Sequence, residues 1–449
     1  MIDKPRELAL KVLYKIDKNG AYSNIALDEE IKHNKKILSD KDISFISEIV
    51  YGTTTWKLTL DSTIQKHSNL KLKKISIWIL NILRMGTYQI VFLDKVPKSA
   101  AVNESVNLAK RYGHKSSSNF VNAVLRKIEK KDFDDFIKIE NDVERISKCN
   151  SMPEWIIEKI LQDGNDIKKV EKICEASNYK PKLFIRINRL KDKKENVRAK
   201  LNEYGINAQE AELPDFLALD KINDIKNMKE FKEGKFTVQD EGAGLIPLAL
   251  NPKENEIILD ACSSPGGKTT YIAELMNDKG KIVAWDIHEH RVKLVEENAK
   301  RLGIHIIEAE LQDATQYLEK YKNYFDKILL DVPCLGIGVL KRKPDIKWQR
   351  KKEDVDEITQ IQNKILENCS KYLKKNGELV YSTCSIFKEE NEDIISNFLE
   401  KNKNFEIEKI EKKFPTYFEQ FIEKNKFFEI YQNEKTDGFF ICKLQKINK

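Results

Sequence analysis

The sequence predicts a multidomain fold: an all-α domain over residues 1–140, a small α+β module over 151–236, and an α/β domain built on a doubly wound parallel sheet over 237–449. Three observations carry this. In the first ~140 residues apolar positions recur at spacings of three and four, the period of an amphipathic helix. After Gly234 short continuous apolar runs alternate with helical segments, as in a parallel sheet covered on both faces. The length of 449 residues, at roughly 150 per domain, allows about three domains.

In the N-terminal part, Ala9, Val12, Leu13 and Ile16 line one helical face. Ser39 with Asp42 forms a capping-box pattern ahead of Ile46, Ile49 and Val50, and Gly52 suits a helix end. Ile75, Ile79, Ile82 and Leu83 mark a further stripe. Pro97 opens a helix through Val102, Val106 and Ala109 that Gly113 closes, and a last helix carries Phe120, Val124 and Ile128. Residues 131–150 turn acidic and weakly periodic, which predicts a connection. The segment from Trp155 to Phe236 mixes helix with strand-like pieces, notably LFIRIN (Leu183 to Asn188), followed by a helix over Asp192 to Tyr204 ended by Gly205. The C-terminal strands are IILD (Ile257 to Asp260), IVAWD (Ile282 to Asp286), ILLD (Ile328 to Asp331) and ELVYS (Glu378 to Ser382). Internal repeats and low-complexity tracts are absent, which excludes solenoid and fibrous architectures.

With 41% hydrophobic and 34% charged residues the composition is that of a soluble protein. No apolar run approaches the ~18 residues of a membrane span. The first twenty residues scatter charge where a secretory signal needs an unbroken apolar core, so a cytoplasmic location is expected. The seven cysteines are an odd number, widely spaced and without a C-x-x-C pair, so reduced thiols are expected and no metal site. Net charge is +7, concentrated in residues 51–130, where 14 Lys plus Arg face 4 Asp plus Glu. A basic surface of this kind suits phosphate binding by counterion release, although a solvated lysine-rich face explains the same charge.

Chemistry concentrates at the strand ends. In open α/β sheets ligands bind beyond the carboxyl ends of the strands, so Asp260, Asp286 and Asp331 outline one crevice. The loop Asp260-Ala261-Cys262-Ser263-Ser264-Pro265-Gly266-Gly267-Lys268 joins a strand to a helix through Thr269, Ile272 and Leu275, and its glycines permit close backbone approach to a ligand. Asp286, nineteen residues after Gly267, stands where an acid accepts hydrogen bonds from ribose hydroxyls. The pair indicates a nucleoside-containing cofactor. The departure from G-x-G-x-x-G favours S-adenosylmethionine over a dinucleotide, which stays open as an alternative. Asp313, in ELQDAT, either meets an adenine amino group or caps a helix near Tyr317. Cys334, in DVPC, and Cys384, in STCS, end the next two strands. A lone cysteine is usually an inert core side chain, but two at neighbouring strand tips, flanked by proline, serine and threonine, point to a shared reactive site.

These strings (VQDEGAGL, DACSSPGGKTT, AWDIH, ILLDVPCLGIGVLKRKPDIKW and LVYSTCSIFKEEN) resemble those of the cytosine-C5 RNA methyltransferases of the Sun/Fmu, or RsmB-like, type, which modify small-subunit ribosomal RNA. The basic helical region resembles the NusB-like RNA-binding domain of that subgroup. The resemblance implies a Rossmann-like class I S-adenosylmethionine-dependent catalytic domain. It also implies a cofactor site of Cys262, Ser263, Ser264, Pro265, Gly266, Gly267, Lys268, Asp286, Asp313 and Asp331, with Cys384 as nucleophile and Cys334 assisting product release. Ser263-Ser264 stand where alanines are common, and Leu335-Gly336-Ile337-Gly338 replaces a more polar turn.

The chemistry such enzymes perform explains the residue types. Carbon 5 of cytosine is a poor nucleophile until a thiolate adds at carbon 6, and a thiolate can leave again. Asp331 is the candidate for contact with N3, where negative charge collects. Lys341, Arg342, Lys343, Lys347 and Trp348, in the KRKPDIKW run, are expected to contact RNA beside the site, the cations on phosphate and the indole on a base, unless Trp348 simply anchors the loop. The expected partner is small-subunit ribosomal RNA, bound by a monomer without membrane or metal. Two rivals remain: a transfer-RNA cytosine-C5 methyltransferase, and an RNA-binding assembly factor with a vestigial methyltransferase domain.

Overall fold

The computed structural model describes residues 3–220, 225–410, 414–423 and 427–447; the outermost expected domain limits, 1 and 449, lie outside them. The chain divides into two compact units, Met1–Tyr179 with Leu340–Lys352, and Lys180–Val339 with Glu353–Lys449.

The first unit is helical. Its most apolar helix, Ile77–Phe92, buries Ile79, Ile82, Leu83 and Met85 against Leu8, Val12, Ile46, Ile49 and Leu125. Asp3 caps the helix Lys4–Asn19 by accepting from the Arg6 amide, and Gly20 ends it. Ser39 and Asp42 form the expected reciprocal capping box on the helix Asp40–Thr55. Gly52 does not end that helix. It lies inside it because the Tyr88 ring packs there: a Cβ at Gly52 would stand 1.9 Å from Tyr88 Cζ. The expected connection over 131–150 also differs, since Asn141 caps a helix at Asp142–Asn150. Two further helices, Glu154–Gln162 and Ile167–Ala176, complete this unit, so the compact division falls at 179/180.

The acidic residues of the 131–150 stretch explain part of the charge pattern. Asp132 and Asp135 take the ammonium of Lys66 at 2.8 and 2.5 Å. Arg84 is buried between both oxygens of Asp61, at 2.6 and 2.7 Å, and Asp17 at 2.7 Å. Lys66 and Arg84 of the basic window are thus neutralised in place.

The second unit holds two sheets. The small one consists of β1 (Leu183–Ile187), β2 (Ala208–Glu210), β3 (Phe216–Leu219) and β4 (Phe236–Val238), antiparallel in the order β2-β3-β1-β4. The helix Lys194–Glu203 covers it through Val197 and Leu201. The large sheet contains β5 (Ile257–Asp260), β6 (Lys281–Asp286), β7 (Ile307–Leu311), β8 (Phe325–Asp331) and β9 (Leu373–Thr383), parallel in the order β7-β6-β5-β8-β9. Strands β10 (Phe405–Ile407), β11 (Ile422–Glu423), β12 (Phe427–Ile430) and β13 (Phe439–Lys446) extend it antiparallel, with β13 paired to β9. The sheet expected to be parallel is therefore mixed. Its order reverses between β5 and β8, which opens a crevice at their carboxyl ends.

Among the described residues no helix is long and apolar enough to cross a membrane, and no group of three or more His, Cys, Asp or Glu side chains is arranged to hold a metal ion. All seven cysteines are free thiols.

Candidate active site

Every loop of the crevice leaves a strand tip. After β5 the chain turns at Ser263, whose amide and hydroxyl both donate to the carbonyl of Trp285 on β6, at 2.9 and 3.0 Å. Gly266 has φ +94°, in the left-handed region that glycine enters without a Cβ penalty, and it opens the helix Gly267–Leu275. A Cβ at Gly267 would meet only Gln239, at 3.8 Å, so the helix start faces open space. Arg186, from β1, fixes this turn from behind. Its guanidinium donates to the Gly267 carbonyl at 2.7 Å and to Glu274 at 2.8 and 3.2 Å, with Tyr271 under its face at 4.7 Å. Both partners of the Arg186–Glu274 pair are completely buried.

The acids stand around this cradle. Asp260 accepts from the Thr269 hydroxyl at 2.7 Å through one oxygen, while its other oxygen is buried without a partner. Burial pushes the Asp260 carboxyl up to about 7. Asp286, at the tip of β6, accepts the His288 amide at 3.0 Å. Asp313 follows β7 and accepts both the amide and the hydroxyl of Thr315, at 2.8 and 2.7 Å, so it caps a turn rather than a helix at Tyr317. Burial pushes the Cys262 thiol well above the ordinary range, leaving it neutral. A backbone cradle facing open space, an unsatisfied buried carboxyl oxygen and acids on successive tips suit a nucleoside that carries a positive charge.

The two cysteines meet. Cys334 follows β8, Cys384 follows β9, and their sulfurs are 2.9 Å apart. The Cys384 contact, then burial, hold the Cys334 thiol far above its ordinary range. The Gly338 amide donates to the Cys384 carbonyl at 2.9 Å, which ties one cysteine loop to the other. Beside them Asp331 accepts from Lys268 at 2.6 Å and from the Ser382 hydroxyl at 2.9 Å. Burial works against the Lys268 ammonium, but the Asp331 carboxylate outweighs it and raises the lysine, which stays charged. Both Asp331 oxygens are acceptors here, so the hydrogens in this corner belong to Lys268 and Ser382. Sequence reasoning placed Lys268 with the cofactor and missed this pairing, because the two residues are 63 apart in the chain.

The KRKPDIKW run belongs to the other compact unit. Leu340–Lys352 packs as part of the helical unit. Asp345 is buried there and accepts from the amide and hydroxyl of Ser23 at 3.1 and 2.7 Å. Lys347, expected on phosphate, is only 1% exposed and donates to Asn178 at 2.6 Å. Trp348, expected on a base, spends its N–H on the Thr54 carbonyl at 2.7 Å. Of the five expected RNA contacts, Lys343 is exposed and Lys341 and Arg342 are half-buried.

A switch-point crevice with a glycine cradle on the first strand, acids on the following tips and paired cysteines, in a chain that also carries an all-helical unit, defines an S-adenosylmethionine-dependent RNA methyltransferase. A sequence profile described as 16S rRNA methyltransferase RsmB/F matches residues 247–445, a NusB family profile matches 3–130, and a profile for the ferredoxin-like domain of RsmF/B-like methyltransferases matches 152–226. The chain is 38% identical over 443 residues to the probable ribosomal RNA small subunit methyltransferase B of Bacillus subtilis, covering 98% of each, and 34% identical over 444 residues to that of Synechocystis sp., covering 98% and 99%. The crystal structure of PH0851 superposes with a TM-score of 0.82 at 25% identity, over 99% of this chain and 100% of the other. The chain belongs to the RsmB/F family of 16S rRNA methyltransferases.

Proposed function

We propose that this protein methylates carbon 5 of a cytosine in 16S ribosomal RNA, with Cys384 adding to carbon 6 and Cys334 releasing the product. The observation that carries the reading is the 2.9 Å approach of two sulfurs from adjacent strand tips, beside a lysine–aspartate pair. The named small-subunit methyltransferases among its relatives, together with the NusB family match, support ribosomal RNA as substrate.

In this reading residues 1–140 engage RNA, 151–236 braces the cofactor loop through Arg186, and 237–449 performs the transfer. S-adenosylmethionine, held by the loop from Cys262 to Lys268 with Asp286 and Asp313, supplies an electrophilic methyl group. The Cys384 sulfur attacks carbon 6, and the electron pair of the 5,6 double bond becomes available at carbon 5. Charge that collects at N3 is met by hydrogens in the Asp331 corner, where Lys268 supplies the donor. Once carbon 5 is methylated, Cys334 gives its proton to the departing Cys384 sulfur and takes the carbon 5 proton in its place. The C–S bond breaks, the double bond re-forms, and Cys384 leaves as thiol.

The experiment combines two variants with bisulfite mapping. Cys384→Ser is expected to lose both turnover and adduct, whereas Cys334→Ala is expected to accumulate a denaturation-resistant RNA–protein complex. Adduct in the first and not in the second reverses the two roles. Ribosomal RNA that keeps every methylcytosine in cells lacking the protein overturns the substrate.

A further inference from the structure

Behind the two cysteines lies a carboxylate that the reaction scheme above does not use. Glu390 is completely buried. One of its oxygens accepts the amide of Leu335, the residue after Cys334, at 2.9 Å, and the side-chain amide of Gln362 at 3.0 Å. Gln362 in turn donates to the carbonyl of Pro333, the residue before Cys334, also at 3.0 Å. The other Glu390 oxygen accepts the hydroxyl of Ser385, the residue after Cys384. The neighbouring Asn391 completes the grip by accepting from Thr383 at 2.6 Å and donating to the Ser385 carbonyl at 3.1 Å. One side chain thus spans residues 335 and 385, and the sulfurs that meet at 2.9 Å each lie one residue away from it.

We propose that Glu390 is a positioning residue of the reaction: it clamps the two cysteine loops in register, and its buried negative charge keeps the proton that the two sulfurs share on Cys334, leaving Cys384 free to attack. This rests on the assignment of Cys384 as nucleophile. The geometry requires a group that accepts from both loops at once, and only a carboxylate offers two acceptor oxygens in that space. Charge adds to geometry. Lys268 lies on the Cys384 side and is favoured by that sulfur, whereas Glu390 disfavours negative charge on Cys334. The attraction between Lys268 and Cys384, with the opposition of Glu390 to charge on Cys334, biases the pair in one direction.

Glu390→Gln tests this, because it keeps the shape and one acceptor oxygen while removing the charge. The expected result is a kcat lower by about 100-fold, the cost of misplacing a reacting group by about an ångström, with KM for RNA and S-adenosylmethionine affinity unchanged. Iodoacetamide labelling read by mass spectrometry is expected to favour Cys384 over Cys334 in the parent chain and to lose that preference by about tenfold, one pKa unit, in Glu390→Gln. Ser385→Ala, which releases one loop but keeps the charge, is expected to lower kcat while preserving the labelling preference, and it serves where Glu390→Gln does not fold. Turnover within threefold of the parent, or an unchanged labelling ratio in Glu390→Gln, overturns the proposal. A lost labelling preference in a protein whose parent transfers nothing to cytosine leaves Glu390 in this role and removes the substrate reading instead.

Discussion

The Cys334 loop and the cationic run after it are separated by only a few residues of chain, yet they behave differently. Cys334 stands at a strand tip, where the parallel sheet dictates which way the loop faces. Lys347, thirteen residues later, is buried in the helical unit, its ammonium against Asn178. Residue type pointed to function in both places. A side chain reaches the crevice where the backbone carries it there, and enters the core where a distant partner decides, since lysines and tryptophans serve a core as readily as a surface.

The sharpest contrast comes from Cys384→Ser. Turnover is expected to fall by about 10⁴-fold or more with thermal unfolding unchanged, because the loop is held by backbone and Glu390 contacts. A large loss of stability in this variant would make the cysteine structural and erase the contrast.

Lys347 is next. Burial lowers it to about 7, below the ordinary lysine value, so between pH 7 and pH 10.5 the unfolded chain holds a proton that the folded chain lacks. Stability therefore climbs with rising pH across that window and carries the full penalty below 7. Chemical denaturation of the parent and Lys347→Met at pH 7 and pH 10 is expected to differ in pH dependence by up to about 5 kcal/mol. Equal pH dependence would return Lys347 to the surface.

Arg186 is a buried cation of the opposite kind, since Glu274 pairs with it. Glu274→Ala, which strands the guanidinium, is expected to cost about 3–5 kcal/mol and to weaken S-adenosylmethionine binding measured by calorimetry, because the Gly267 carbonyl loses its brace. Unchanged cofactor affinity would confine Arg186 to a structural role.

The smallest effect is reserved for Trp348→Phe, which removes the N–H bond to Thr54. A loss of about 1 kcal/mol with RNA affinity unchanged is expected. A tenfold loss of RNA affinity at constant stability would restore the base-stacking role.

The legible part of the molecule was what local rules govern. Apolar runs such as ILLD must be covered strands, and reciprocal capping at Ser39 and Asp42 depends on neighbours three residues apart. Gly52 misled because a glycine that ends a helix and one that admits a tyrosine ring look alike in one dimension. The antiparallel extension from β10 to β13 escaped notice because nothing in the phenylalanine-rich segments names β9 as the strand they join. The site was legible as motifs and illegible as a network: Lys268 with Asp331, and Glu390 between two loops, are pairings that only the folded chain defines.

The thirteen-residue excursion Leu340–Lys352 has a practical consequence. Because the polypeptide passes between the units at 179/180, 339/340 and 352/353, one proteolytic nick cannot free them, and a fragment beginning at residue 180 would carry an orphaned plug whose Asp345 and Lys347 have lost Ser23 and Asn178. Expressing the catalytic half alone thus calls for excising that plug and bridging its ends, and supplying the helical half in trans calls for a permuted gene.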